Sequence, residues 1–257
     1  MFDDLPMTSA EFFDKPAPKG SHKAENRKLR KGESEVKQAR RMPKPVEPRN
    51  ENQKIYMESL IANELTFADG PAGVGKTYIP SRVFGTMLAA GTIKKIYCAR
   101  PNVTKAKHRN GFLPGGIEDK TEPWLIPIFE GLKESMSPFL FETFRKEKMI
   151  EEVPFEFIQG RTFKDAACIV DEAENLDIDD LYITLTRQGD NLKMAICGDV
   201  YQARIPDSGL SKVIEMAASP FMESVGIIRF GDEDVTRSRQ TRQWVHAFRD
   251  HWAVKLA

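Results

Sequence analysis

Apolar residues along this chain fall into two alternating patterns. Short, nearly unbroken apolar runs near residues 65–69, 94–99, 155–159, 167–171, 192–198 and 225–230 predict strands covered on both faces. Between them lie stretches with helical spacing. The clearest opens at Lys76-Thr77 and continues through Tyr78, Ile79, Val83, Phe84, Met87 and Leu88 before stopping near Gly91. A more polar one spans Leu176 to Arg187. Strands alternating with helices predict an α/β domain built on a mostly parallel sheet.

The first 48 residues do not share this pattern. Between Lys15 and Arg49 about a dozen Lys and Arg stand against four Glu, prolines occupy positions 16, 18, 43, 45 and 48, and large apolar side chains are almost missing. Such a segment cannot bury a core, so residues 1–48 are expected to be a disordered basic arm ahead of one folded domain over 49–257. The arm is either a solvated linker or a surface for phosphate backbones. Over the whole chain 38 Lys and Arg balance 38 Asp and Glu, so any attraction to nucleic acid is local.

At 257 residues and 40% hydrophobic, the chain supports one sizeable core. It contains no apolar run of about 18 residues, the span a membrane helix needs, and its first residues are acidic and polar where a secretory leader would be basic and apolar. No membrane partner and a cytoplasmic location are expected. Cys98, Cys168 and Cys197 all fall on predicted strands, which points to buried, reduced thiols.

Candidate chemistry concentrates at the ends of the predicted strands. Gly70-Pro71-Ala72-Gly73-Val74-Gly75-Lys76-Thr77 fits G-x-x-x-x-G-K-[ST], between the strand Leu65-Thr66-Phe67-Ala68 and the helix that begins with Tyr78. Glycines let the main chain curl so that several N–H groups face a phosphate, and the first helical turn at Tyr78 adds unpaired N–H groups and a positive dipole end. Lys76 would reach the β- and γ-phosphates, and the Thr77 hydroxyl would bind Mg²⁺. Cys168-Ile169-Val170-Asp171-Glu172 reads as a buried strand ending in two carboxylates. Asp171 would hold the metal and Glu172 would orient or deprotonate a water, which is the chemistry of hydrolysis; as a bland alternative, Asp171 caps the helix that follows. The run Leu192 to Cys197 ends in Gly198-Asp199, with Gln202 three residues on. That amide could sense the γ-phosphate with Asp199 orienting it or the metal, or the Gly-Asp pair is simply a turn. Lys105, Lys107, His108 and Arg109, with Phe112 and Trp124 in the same connection, could track single-stranded nucleic acid or form an ordinary surface loop.

Taken together these residues resemble the PhoH-like ATPases of bacteria and bacteriophages. The resemblance rests on Asn52-Gln53-Lys54-x-Tyr56, Ala99-Arg100-Pro101, Gly111-Phe112-Leu113-Pro114-Gly115, Pro123-Trp124-Leu125-x-Pro127, Gln159-Gly160-Arg161-Thr162-Phe163, Asp171-Glu172-Ala173-Glu174-Asn175, and Gly198-Asp199-x-x-Gln202 with Ser208-Gly209-Leu210. It covers about residues 50–250, departs from the family at Gln159, where Arg is usual, and places Pro80 inside the first turns of the phosphate-loop helix. The resemblance implies a RecA-like P-loop NTPase fold similar to the first motor domain of superfamily 1 helicases. It also implies ATP and Mg²⁺ as cofactors, Gln53 near the adenine, and RNA or single-stranded DNA as partner. Asp234-Val235-Thr236-Arg237 is similar to a family segment whose arginine could stabilise charge on the γ-phosphoryl group. With no second motor domain in the chain to supply such a finger, Arg237, ahead of Arg239 and Arg242, is expected to serve a neighbouring subunit in a homo-oligomer, such as a hexameric ring; as a bland alternative, the three arginines lie on a solvated helix. Two competing readings are a nucleotide-gated scaffold with little turnover and a small-molecule phosphotransferase. Glu172, standing where a kinase would place its acceptor alcohol, argues against the phosphotransferase.

Overall fold

The computed structural model describes residues 45–101 and 117–256, apart from 156, 157 and 159. Most of the expected arm and the basic cluster Lys105–Arg109 with Phe112 lie outside the described residues. In chain order the elements are α1 (Glu51–Ala62), β1 (Leu65–Asp69), α2 (Tyr78–Ala89), β2 (Lys95–Ala99), α3 (Ile117–Ser135), α4 (Pro138–Lys146), β3 (Ile150–Glu152), β4 (Ala166–Val170), α5 (Ile178–Leu185), β5 (Leu192–Gly198), α6 (Leu210–Ala217), β6 (Val225–Arg229) and α7 (Arg239–Leu256). The six strands form one sheet in the order β3-β2-β4-β5-β1-β6, and every pairing is parallel.

Two-residue alternation sorts the strand side chains onto the two faces of this sheet. Ala167, Ile169, Ala195 and Cys197 face a core built with Tyr56 and Leu60 of α1, Phe84 of α2 and Ile128 of α3. Cys168, Val170, Met194 and Ile196 face the other core, with Leu181 of α5 and Val213 and Ile214 of α6. Because both faces are covered, the strands read as continuous apolar runs rather than alternating ones. All three cysteines are buried and unpaired. Among the described residues no helix is long and apolar enough to cross a membrane.

One strand differs from expectation. Phe155 and Ile158, the described residues of the run at 155–159, lie in no strand; the edge strand is β3, whose Ile150 pairs with Ile96 and whose ladder ends as the Val153 N–H donates to the Cys98 carbonyl. Pro154 comes next and has no N–H to continue the ladder, so the chain turns, with the Ile158 N–H donating to the Phe155 carbonyl. Val46, within the segment expected to be the arm, packs half-buried against the first core.

Candidate nucleotide-binding site

The sheet order brings the tips of β4, β5 and β1 side by side, so Asp171, Asp199 and the loop after β1 open into one crevice at the carboxyl ends of the strands. The loop depends on positive φ at Gly70 (149°), Gly73 (92°) and Gly75 (97°). At Gly70 a Cβ would stand 2.6 Å from the Phe230 carbonyl oxygen. Lys76 Nζ donates to the Gly70 and Pro71 carbonyls at 2.5 and 2.9 Å, folded back over the loop it closes.

Pro80 sits at the third position of α2, where a helix has no internal use for an N–H. Its ring takes the place of the N–H that could have reached the Lys76 carbonyl. That carbonyl accepts instead from Tyr56 Oη at 2.9 Å and from Cys197 Sγ at 3.0 Å. The helix is undisturbed, and α1 and β5 become tied to the residue that carries the loop's cation.

Thr77 Oγ1 donates to Asp171 Oδ1 at 2.6 Å, which joins the two candidate metal ligands across 94 positions of sequence. Burial raises the Asp171 carboxyl, against the opposing pull of the Thr77 hydroxyl and the Arg100 cation. Glu172 adopts the left-handed region (φ 55°), and its Oε1 accepts from Arg100 at 2.9 Å. A one-turn 3₁₀ helix, Ala173–Asn175, follows, and the cap of α5 is Asp177, whose side chain accepts from the Asp180 N–H. Asp171 is therefore not a helix cap.

At the tip of β5, Asp199 Oδ2 accepts from Gln202 Nε2 at 2.7 Å. Beneath them lies Glu174, to which its motif alone assigns no role. Glu174 is buried, its Oε2 accepts from the Asp199 N–H at 3.2 Å, and burial followed by the charge of Glu172 pushes its carboxyl up to about 7, against hydrogen bonds from main-chain N–H groups.

Gln53 is also buried, with both ends of its amide used: Nε2 donates to the Val74 carbonyl at 2.8 Å and Oε1 accepts from the Arg49 N–H at 2.9 Å. It braces the lead-in segment against the phosphate loop. Asn52 Nδ2 reaches Asp234 Oδ2 at 2.8 Å, and both the N–H and the hydroxyl of Thr236 donate to the Gly73 carbonyl at 3.1 Å. The segment expected to project a finger into a neighbour is thus tied to its own loop, and a Cβ on Gly73 would stand 2.9 Å from Arg237 Cγ. Gly73 is glycine partly because that arginine crosses it.

One cavity of about 700 Å³ runs from Val46, Glu47, Arg49 and Gln53 past Lys76 and Thr77 to Asp171, Glu172, Gln202 and Arg237. The PhoH-like protein family matches residues 45–249, four-fifths of the chain, and spans every one of these positions. The chain belongs to the PhoH-like family. Protein PhoH of Escherichia coli K12 is 36% identical over 209 residues, covering 79% of this chain and 58% of that protein. A PhoH-like protein of Bacillus subtilis is 34% identical over 208 residues, covering 80% and 64%. The chain therefore spans about three-fifths of the length of these PhoH-like relatives. Among solved structures, the large terminase of a thermophilic bacteriophage aligns with a TM-score of 0.49 at 11% identity, over 79% of this chain and 50% of that one. The parallel sheet with a glycine loop running from β1 into α2 makes this member of the family a P-loop nucleotide-binding fold.

Proposed function

We propose that the chain is an Mg²⁺-dependent ATPase whose turnover responds to RNA or single-stranded DNA. The observation that carries this reading is the convergence of Lys76, the Thr77–Asp171 pair, Glu172 and the Asp199–Gln202 pair on one cavity. Lys76 and the loop N–H groups would bind the β- and γ-phosphates, which directs the ribose and base toward the Val46–Gln53 end of the cavity. Thr77 Oγ1 and Asp171 Oδ1 are hard oxygen donors beside the phosphate site, the donor type Mg²⁺ takes together with phosphate oxygens. The metal, when bound there, offsets charge on the phosphoryl oxygens.

Glu172 would accept a proton from the attacking water while Gln202, fixed by Asp199, donates to the γ-phosphate and accepts from that water. Arg237 lines the cavity of its own chain, and we assign its cation to that chain's γ-phosphoryl group rather than to a neighbour's. Coupling to nucleic acid draws on the cations Lys105, Lys107 and Arg109, with His108 beside them, which follow β2 in sequence.

The deciding measurement is phosphate release with Mg²⁺, with and without single-stranded RNA or DNA. Lys76→Ala is expected to abolish it; full turnover in a folded Lys76→Ala protein would remove the phosphate loop from the mechanism. Mixing Lys76→Ala with Arg237→Ala tests whose site the arginine serves. With the arginine acting in its own chain the mixture stays inactive, whereas recovered activity would show sharing between subunits.

A further inference from the structure

Arg100 stands one residue beyond β2 and places its guanidinium between the two acidic groups at the tip of β4. One nitrogen lies 3.2 Å from Asp171 Oδ2 and the other 2.9 Å from Glu172 Oε1. The first also donates to the Trp124 carbonyl of α3 at 3.0 Å. We infer that Arg100 is a positioning residue for hydrolysis, fixing the Glu172 carboxylate relative to that of Asp171. The inference rests on the ATPase reading given above, in which Glu172 is the base.

Consecutive residues leaving a strand point to opposite faces, so Asp171 and Glu172 would not ordinarily meet the same cation. The left-handed backbone at Glu172 turns its side chain back toward Asp171, a conformation unfavourable for a residue with a Cβ. Two like charges are thereby brought to one point, and a cation between them offsets their repulsion. Glu172 is held at both oxygens, Oε1 by Arg100 and Oε2 by Asn175 Nδ2 at 3.4 Å, so its rotation is fixed by partners on two different elements.

A planar fork suits this task in a way an ammonium does not. Two nitrogens serve two carboxylates at once while a main-chain carbonyl on α3 fixes the plane. The side chains of Arg100 and Asp171 are 17% and 9% exposed, so little water competes for that contact, while Glu172 is 29% exposed and keeps one side open to an attacking water. A positioned acid-base group contributes about 10²–10⁴ to a rate, and misplacing it forfeits a large part of that.

The test is a double-mutant cycle on the full chain, read as kcat, KM for ATP, and affinity for a non-hydrolysable ATP analogue. Arg100→Gln is expected to lower kcat by about ten- to a hundredfold with KM and analogue affinity within about threefold of the parent. Arg100→Lys, a single point charge, should recover only part of the loss. In a Glu172→Gln background, Arg100→Gln should lower kcat no further than about twofold, because the group it positions is gone. Parental turnover in Arg100→Gln overturns the inference, as does a full multiplicative loss in the double variant. If Arg100→Gln does not fold, the same cycle run with Arg100→Lys decides in the same way. Should Glu172→Gln alone turn over at the parental rate, the base assignment falls and this inference falls with it. An active-site loss in Glu172→Gln with independent effects from Arg100 sinks only the positioning role.

Discussion

Glu174 shows how far a single side chain can depart from what its letter suggests. Its carboxyl titrates at about 7 because it is buried under the site and close to Glu172. In the unfolded chain it ionises in the ordinary range near 4.3. Below that range both states are protonated, and the group makes no difference to stability. Above about 7 both are ionised, and the folded state alone bears the burial, so stability falls as pH rises between the two values, by on the order of 3 kcal/mol for this group. Burial raises Asp171 and Asp69 in the same direction. Glu174→Gln, whose amide oxygen can still accept from the Asp199 N–H, should melt above the parent at pH 8 in metal-free buffer, and the gap should shrink to about 1 kcal/mol by pH 5 and close only below the unfolded value near 4.3. Parallel melting curves at both pH values would show that the buried carboxyl is not a charged load on the fold. At this scale Lys76, Thr77, Asp171, Glu172 and Gln202 were legible, since each sits at a fixed offset within a short motif. Arg100 and Glu174 were not, because their partners come from other strands.

Pro80 and Tyr56 make the corresponding point for elements. A proline near the start of α2 reads in sequence as a threat to the helix, yet it falls where no helical N–H is needed, and the carbonyl it frees is served by α1 and β5. Tyr56 also packs edge-on against Phe230, with ring centroids 5.6 Å apart. Removing only its hydroxyl in Tyr56→Phe should cost about 1 kcal/mol, since Cys197 still reaches the carbonyl, and lower the melting temperature by about 2–4 °C. Tyr56→Leu should cost more by adding a packing defect. Equal melting of Tyr56→Phe and parent would mean the hydroxyl does not hold the loop. Five of the six strands follow from apolar runs; in β1, β4 and β5 burial on both faces leaves a continuous imprint, while β6 at the edge is only half-buried. The sixth was misplaced because Phe155, Phe157 and Ile158 make an apolar cluster in sequence, while β3 pairs with the edge of β2 at Ile150 to Glu152 and Pro154 cannot continue the ladder.

For the molecule as a whole, the two cores use no residue before Val46 among those described. Removing residues 1–44 while keeping Val46 should leave the melting temperature within about 2 °C of the full chain, less than the shift that 1 kcal/mol brings to a domain of this size, and basal turnover unchanged. Any nucleic-acid affinity that depends on the basic segment should fall in a salt-dependent manner. A large drop in melting temperature would show that the arm packs on the domain. By itself the sequence determined the fold class, the phosphate loop and the acidic strand end, because main-chain geometry and continuous apolar burial are local requirements that restrict which residue can stand at each position. Only the tertiary structure decided that Thr77 meets Asp171, that Arg100 gathers both carboxylates, that Glu174 is buried beneath Asp199, and that Arg237 crosses its own loop at Gly73. Those contacts join residues that are distant in the chain, and the strand order of the sheet, with the burial it creates, brings them to one place.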